Sequence, residues 1–117
     1  MSARKPADAS CSPDHNSVGR AAAGPLEGPR ADADLAAFAK AVSHPVRVRI
    51  LRMLARKDAR MCSHIVDELP LAQSTVSEHL RILRSAGLVK ANAKGPRAGY
   101  CIVPSALKRF QALLDVM

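Results

Sequence analysis

Residues 71–88 read Leu71-Ala72-Gln73-Ser74-Thr75-Val76-Ser77-Glu78-His79-Leu80-Arg81-Ile82-Leu83-Arg84-Ser85-Ala86-Gly87-Leu88, and the spacing of the apolar residues in this stretch decides the fold. At about 100° per residue, Val76, Leu80 and Leu83 share one side of a helix, while Ser74, Ser77, Glu78, Arg81 and Ser85 fall on the other side or its flank. One face is suited to a core and the other is almost wholly polar. Short hydroxyls and an amide occupy the first turn of the polar face, with arginines further on. That pattern suits a helix entering a DNA major groove N-terminus first. Gly87 is placed to end the helix, because glycine takes φ > 0 without steric cost.

Working outward, Ile65, Val66 and Leu69 form a short apolar run with Ser63 as candidate N-cap, and Pro70 stops it. Two short helices joined by about four residues, the second with a hydroxyl-rich start, read as a helix-turn-helix. On the C-terminal side, Leu88 to Lys94 and Tyr100 to Val103 read as two strands flanking the loop Gly95-Pro96-Arg97-Ala98-Gly99, a wing with Lys94 and Arg97 at its tip. Pro104 is expected to end the second strand and Ser105 to cap a last helix, striped by Leu107, Phe110, Leu113 and Leu114.

Toward the N-terminus, Pro45 fits the first turn of a helix whose buried stripe is Val46, Ile50, Met53 and Leu54. Arg47, Arg49, Arg52, Arg56 and Lys57 cover its other faces, either as a solvated surface or as DNA contacts. Leu35, Phe38, Ala39 and Val42 predict a first helix, with Asp32 and Asp34 at its positive end. Residues 1–31 hold four prolines and three glycines and almost no large apolar side chain, so they are expected to be a disordered arm. The folded domain is accordingly placed at residues 32–117.

Composition bounds the function. A chain of 117 residues is one domain, and with 3% aromatic residues its core must be built from Leu, Val, Ile and Ala. Such a core is small, and apolar helix faces are left for a partner chain. The net charge of +8 falls almost entirely after residue 31, since residues 1–31 carry four basic and three acidic side chains. A basic domain favours a polyanionic partner without choosing among DNA, RNA and a membrane surface. There is no run of about 18 apolar residues and no apolar region behind Arg4 and Lys5, so the chain is expected in the cytoplasm, neither spanning a membrane nor exported. Three cysteines, an odd number, argue against a disulfide framework. With no glycine-rich phosphate loop and no nucleophile partnership for His15, His44, His64 or His79, an enzyme is not expected.

Ser43-His44-Pro45-Val46-Arg47-Val48-Arg49-Ile50-Leu51, Asp67-Glu68-Leu69, Gln73-Ser74-Thr75-Val76-Ser77-Glu78-His79-Leu80 and Ser85-Ala86-Gly87-Leu88-Val89, in that order, resemble the arsenic-repressor (ArsR/SmtB) family of winged-helix metal sensors. The resemblance spans Asp32 to Met117. It implies a mainly α (α+β) winged helix-turn-helix of about five helices with a two- or three-stranded wing, dimeric through its first and last helices. It also implies double-stranded operator DNA as partner, with two recognition helices about one turn apart.

The residues expected to face DNA are Gln73, Ser74, Thr75, Ser77 and Arg81, with Lys94 and Arg97 from the wing. Glu78 is the oddity, either accepting from a cytosine amino group or lying on the flank. His79, at the edge of the apolar stripe, is expected to be packed and bonded to a phosphate or the backbone rather than to a metal.

In the family's topology the strand before the helix-turn-helix pairs with the outer wing strand, which brings residues 60–62 beside 100–103. On that basis Cys62 and Cys101, with Cys11 from the arm of either subunit, are candidate ligands for trivalent arsenic or antimony, which thiolates select. The alternative is that Cys62 and Cys101 are small packed hydrophobes and Cys11 an idle thiol. The resemblance is imperfect. Arg60 stands where the family's arsenic sensors have the first cysteine of Cys-x-Cys, and Gly99-Tyr100-Cys101 stands where relatives have Cys-Tyr-Cys. Two dependable thiolates would suit methylarsenite as well as arsenite or antimonite. The last helix has only Asp115 as a carboxylate and no histidine, so the family's zinc site is not expected there. A DNA-binding regulator answering thiol oxidation, and an interaction module whose basic face meets an acidic protein, are the competing functions.

Overall fold

The computed structural model describes residues 24–56, 60–92 and 99–117. Among the described residues eight elements follow one another: α1 (Pro29–Ala41), α2 (Pro45–Arg56), β1 (Arg60–Met61), α3 (Cys62–Glu68), α4 (Gln73–Ser85), β2 (Val89–Ala91), β3 (Gly99–Ile102) and α5 (Pro104–Asp115). The architecture is a winged helix-turn-helix, with these five helices and an antiparallel sheet in the order β1-β3-β2.

The first helix starts earlier than its carboxylates suggest. Pro29 occupies the first turn behind an N-cap at Gly28, whose φ of 104° favours glycine, and Asp32 lies inside the first turn. The boundary placed at residue 32 therefore falls within α1, and the remainder of the expected arm, residues 1–23, lies outside the described residues. Two other boundaries shift for local reasons. Helix α3 begins at Cys62, so Ser63 is inside it rather than capping it. Helix α5 begins at Pro104, capped by Val103 without a side-chain bond, because proline's fixed φ fits a first helical position and its missing N–H costs nothing there.

The break between α1 and α2 is chemically specified. Ser43 Oγ donates to Lys40 O (2.7 Å) at the end of α1, and the ring Nδ1 of His44 accepts the Val46 N–H (3.1 Å) at the start of α2. His44 thus does the work of an N-cap beside a proline at the first turn. At the other end of the helix-turn-helix, Gly87 adopts φ 86°, with Leu88 N–H donating to Leu83 O (3.1 Å) and Gly87 N–H to Arg84 O (2.9 Å). Those two bonds form a Schellman closure, satisfying carbonyls that the end of α4 would otherwise leave open.

The core is one cluster drawn from every helix and from the sheet. Ile50, Met53 and Leu54 of α2, Ile65 of α3, Val76, Leu80 and Leu83 of α4, Leu88 and Val89, and Val103 and Ala106 near α5 are all buried. Phe38 of α1 packs on Phe110 of α5 with ring centroids 5.4 Å apart, joining the first and last helices. Burying a side chain of that size stabilises the fold by about 1.5–3 kcal/mol, a large share for a chain with so few aromatics. The wing base is closed by Asn92, whose N–H donates to Gly99 O (2.9 Å) and whose Oδ1 accepts the Gly99 N–H (2.7 Å). A Cβ on Gly99 would sit 2.8 Å from the end of the Asn92 side chain, so a larger residue would push that amide aside and cost its bond to the residue 99 N–H. No helix among the described residues is long and apolar enough to cross a membrane.

Candidate nucleic-acid interface

Helix α4 is anchored on one side and bare on the other. Val76, His79, Leu80 and Leu83 are buried, whereas Gln73, Ser74, Thr75, Ser77, Glu78 and Arg81 are exposed together on the opposite side. Helix α3 and strand β2 both pack against it. Its N-cap is Ala72, with no side-chain hydrogen bond. The positive end of the helix dipole and its first N–H groups are thus available to a phosphate.

Glu78 has a definite partner. Arg81 donates to it through both Nε (2.9 Å to Oε1) and a terminal guanidinium nitrogen (2.6 Å to Oε2). The Arg81 hydrogen bond holds the Glu78 carboxyl below the usual carboxylate range, and the same bond raises Arg81. Both side chains are more than half exposed, at 55% and 60%, so the pair can exchange for contacts to DNA at little cost.

Arg84, exposed one turn beyond Arg81, extends the same face. Its spacing from Ser77 and Arg81 could have identified it from the sequence. Between α1 and α4 lies a cleft of about 420 Å³ bordered by Lys40, Arg47 and Arg81, which carries the positive charge toward α1. The expected wing-tip residues Lys94 and Arg97 lie outside the described residues.

His79 is packed, as its place beside the apolar stripe suggests, and its Nδ1 is bonded to an arginine. Arg47 Nε donates to His79 Nδ1 (3.2 Å), which makes the imidazole neutral with its proton on Nε2. Burial lowers the His79 pKa, and the positive fields of His44 and Arg47 lower it further. The His44 ring lies 4.6 Å away, centroid to centroid. Arg47 also donates to Lys40 O and Ala41 O, both at 3.2 Å, so one guanidinium ties the end of α1 to the recognition helix. The sequence places Arg47 among surface arginines; its partners make it structural instead.

Arg109 is the second arginine that residue type misplaces. It is buried between α5 and α1, donating to Asp34 Oδ2 (2.9 Å), Gly24 O (3.0 Å) and Pro25 O (2.9 Å), while its Nε has no partner among the described residues. It pins the segment before α1 onto α5.

The strand pairing inferred for the cysteines is present, with a particular register. Arg60 pairs with Tyr100 and Met61 with Gly99, antiparallel, while Lys90 pairs with Cys101 on the other side of β3. Cys62 follows Met61, and Cys101 lies on the far side of Tyr100 from Gly99. The two residues are therefore three steps apart along the ladder, on the order of 10 Å. Cys101 is 1% exposed on the core face of β3, where the small-hydrophobe reading places it. Cys11 lies outside the described residues, and among those described no group of three or more His, Cys, Asp and Glu side chains could hold a metal.

Residues 42–91 match the model of a helix-turn-helix domain family. The chain is 41% identical over 76 residues to an uncharacterized HTH-type transcriptional regulator of Methanocaldococcus jannaschii, a match covering 65% of this chain and 85% of that one. It is 37% identical over 62 residues to the HTH-type transcriptional repressor SmtB of Mycobacterium tuberculosis, covering 52% of this chain and 44% of the repressor.

Among solved structures, an ArsR-like transcriptional regulator from Rhodococcus sp. RHA1 superposes with TM-score 0.68 at 26% identity, over 75% of this chain and 82% of that one. A possible transcriptional regulator for arsenical resistance gives TM-score 0.60 at 28% identity, over 66% and 79%. A homodimeric winged helix-turn-helix DNA-binding domain from Mycobacterium bovis gives 0.61 at 30% identity, over 80% and 88%.

Proposed function

Because the chain belongs to the ArsR/SmtB family of winged helix-turn-helix transcriptional regulators, we propose that it is a repressor that binds a twofold-symmetric operator as a homodimer and is released by trivalent arsenic or antimony bound to its cysteines. The single observation that carries the DNA-binding half is the exposed polar face of α4, with an uncapped N-terminus, held on a fully buried opposite face. Gln73, Ser74, Thr75 and Ser77 reach base edges and phosphates from the first turns, and Arg81 exchanges Glu78 for guanine or phosphate.

Dimerisation through α1 and α5 is supported by the apolar residues these helices leave uncovered. Leu114 is 50% exposed and Val116 44%, and Val116 lines a shallow cleft of about 170 Å³ together with Leu35 and Leu113. That a similar winged helix-turn-helix domain is homodimeric supports a dimer here.

The inducer reading rests on the resemblance to arsenic sensors, on the relative tied to arsenical resistance, and on the adjacency of β1 and β3. Cys62 opens α3 and Cys101 sits in β3, so one ion holding both thiolates would draw the start of the helix-turn-helix along the wing. With the two cysteines three positions out of register, joint coordination requires a local shift of β1 or α3, and it releases DNA only if the ion prefers the state that does not fit DNA. Release by tenfold to a few hundredfold needs a coupling of about 1–3 kcal/mol.

The test is fluorescence anisotropy of operator DNA titrated with protein and then with arsenite. Wild-type protein is expected to bind and release. Cys62→Ser and Cys101→Ser are expected to bind the operator and stay bound at arsenite concentrations that free the wild type. Release from both variants at the wild-type concentration rejects the cysteine site and leaves the DNA-binding reading intact.

A further inference from the structure

A cleft of about 570 Å³ lies between α2 and the Leu69–Leu71 turn of the helix-turn-helix, and neither the DNA-reading face nor the cysteines use it. Its volume falls within the range of small-molecule sites. Its floor is apolar, formed by Met53, Leu69 and Leu71, and its rim carries Arg49, Arg52 and Arg56. The three arginines follow i, i+3, i+7 spacing on α2, one stripe about 10 Å long, and all are exposed.

Helix α2 contains no carboxylate to pair with them, and the ion pairs among the described residues involve Arg30, Arg81 and Arg109 instead. Three like charges on one face repel one another and gain from an anion, which the planar guanidinium binds in bidentate fashion. None of the residues lining the cleft belongs to α1 or α5, so dimerisation through those helices leaves it open.

We propose that this cleft is a binding site for an anionic amphiphile, a carboxylate or phosphate headgroup held by Arg49, Arg52 and Arg56 with its hydrocarbon tail on Met53, Leu69 and Leu71. The turn that forms one wall leads directly into α4, so a ligand wedged against it shifts the recognition helix relative to α2. This second effect rests on the proposed DNA-binding function; binding itself does not, and is measured without DNA.

The experiment follows the methyl resonances of Met53 and Leu71 in the full chain titrated with decanoate, decyl phosphate, decanol and inorganic phosphate. Decanoate or decyl phosphate is expected to shift both methyls with saturation, the tighter of the two identifying the headgroup. Decanol and phosphate alone are expected to bind at least about tenfold more weakly, because each supplies half of the recognition. Arg52→Gln with Arg56→Gln, at exposed positions that leave the melting temperature unchanged, is expected to weaken the amphiphile about tenfold or more.

Unshifted methyls, equal affinity for decanol, or unchanged affinity in the double variant overturns the site. So does a double variant that loses operator affinity and salt dependence without any ligand present, since the stripe would then be a phosphate contact for DNA. If the amphiphile binds and operator affinity is unmoved by it, the coupling is overturned and the site stands.

Discussion

Two arginine–carboxylate pairs in this molecule, one closed by two hydrogen bonds and the other by one, have opposite consequences. Arg81 and Glu78 meet on the outer face of α4, three residues apart and each more than half exposed. Arg109 and Asp34 meet between α5 and α1, 75 residues apart, with the arginine side chain 4% exposed. In water the attraction of an ion pair is largely offset by the hydration and side-chain entropy it gives up, so the exposed pair is easily exchanged for another partner. In the buried pair the hydration of the guanidinium has already been surrendered. Asp34, Gly24 O and Pro25 O replace it incompletely, as the unpartnered Nε shows. One pair leaves its arginine free to change partners, and the other fixes two helices and a chain segment in one arrangement.

Removing the buried arginine is the most direct way to break this contrast. Arg109→Ala should destabilise the fold by about 3 kcal/mol, because it removes the bonds to Gly24 O and Pro25 O, leaves Asp34 only the longer pair with Arg30 and empties a buried volume. Urea unfolding monitored by far-UV circular dichroism measures it, and Asp34→Asn in the same chain should recover part of the loss. A change below about 0.5 kcal/mol would mean that the buried pair is no more structural than a surface one.

Arg81→Ala should weaken operator binding by about 1–3 kcal/mol while moving the unfolding midpoint hardly at all. A gel-shift titration beside a thermal melt separates the two effects, and unchanged affinity would remove Arg81 from the DNA contacts.

Arg47 stands between the two cases, half-buried and donating to a neutral His79. Burial, followed by the charges of His44 and Arg47, holds the His79 pKa below its ordinary 6.5 in the folded protein. The unfolded chain therefore binds this proton at a higher pH than the folded chain does. The stability contributed by neutral His79 is present above pH 6.5 and is lost as pH falls through the lower folded value. Melting temperatures across that window should fall with acidification, and more shallowly in His79→Gln. Equal slopes in the two proteins would show that another group controls the transition.

The division of α4 into a core face and a polar face was legible in the sequence because helix periodicity is a local property, written within thirteen consecutive residues. The same holds for Gly87, whose role needs only the neighbouring turn, and for the order of helices and wing strands. Arg47 and Arg109 were not legible. The side chain that holds Arg47, His79, lies 32 positions away and the partners of Arg109 lie 75 or more away, and an arginine in a helical pattern reads as surface until the packing of other elements removes the water around it. The start of α1 was misplaced because Pro29 between glycine and arginine resembles the end of a loop as much as the first turn of a helix.

Residue type and spacing over one or two turns are thus enough to specify the elements, their order and the two-sided character of α4. The register of β1 on β3, which sets Cys101 three steps from Cys62, and the structural role of Arg47 and Arg109 emerge only when the chain is packed. Register and burial arise from how distant segments fill a shared core, and no local pattern encodes them.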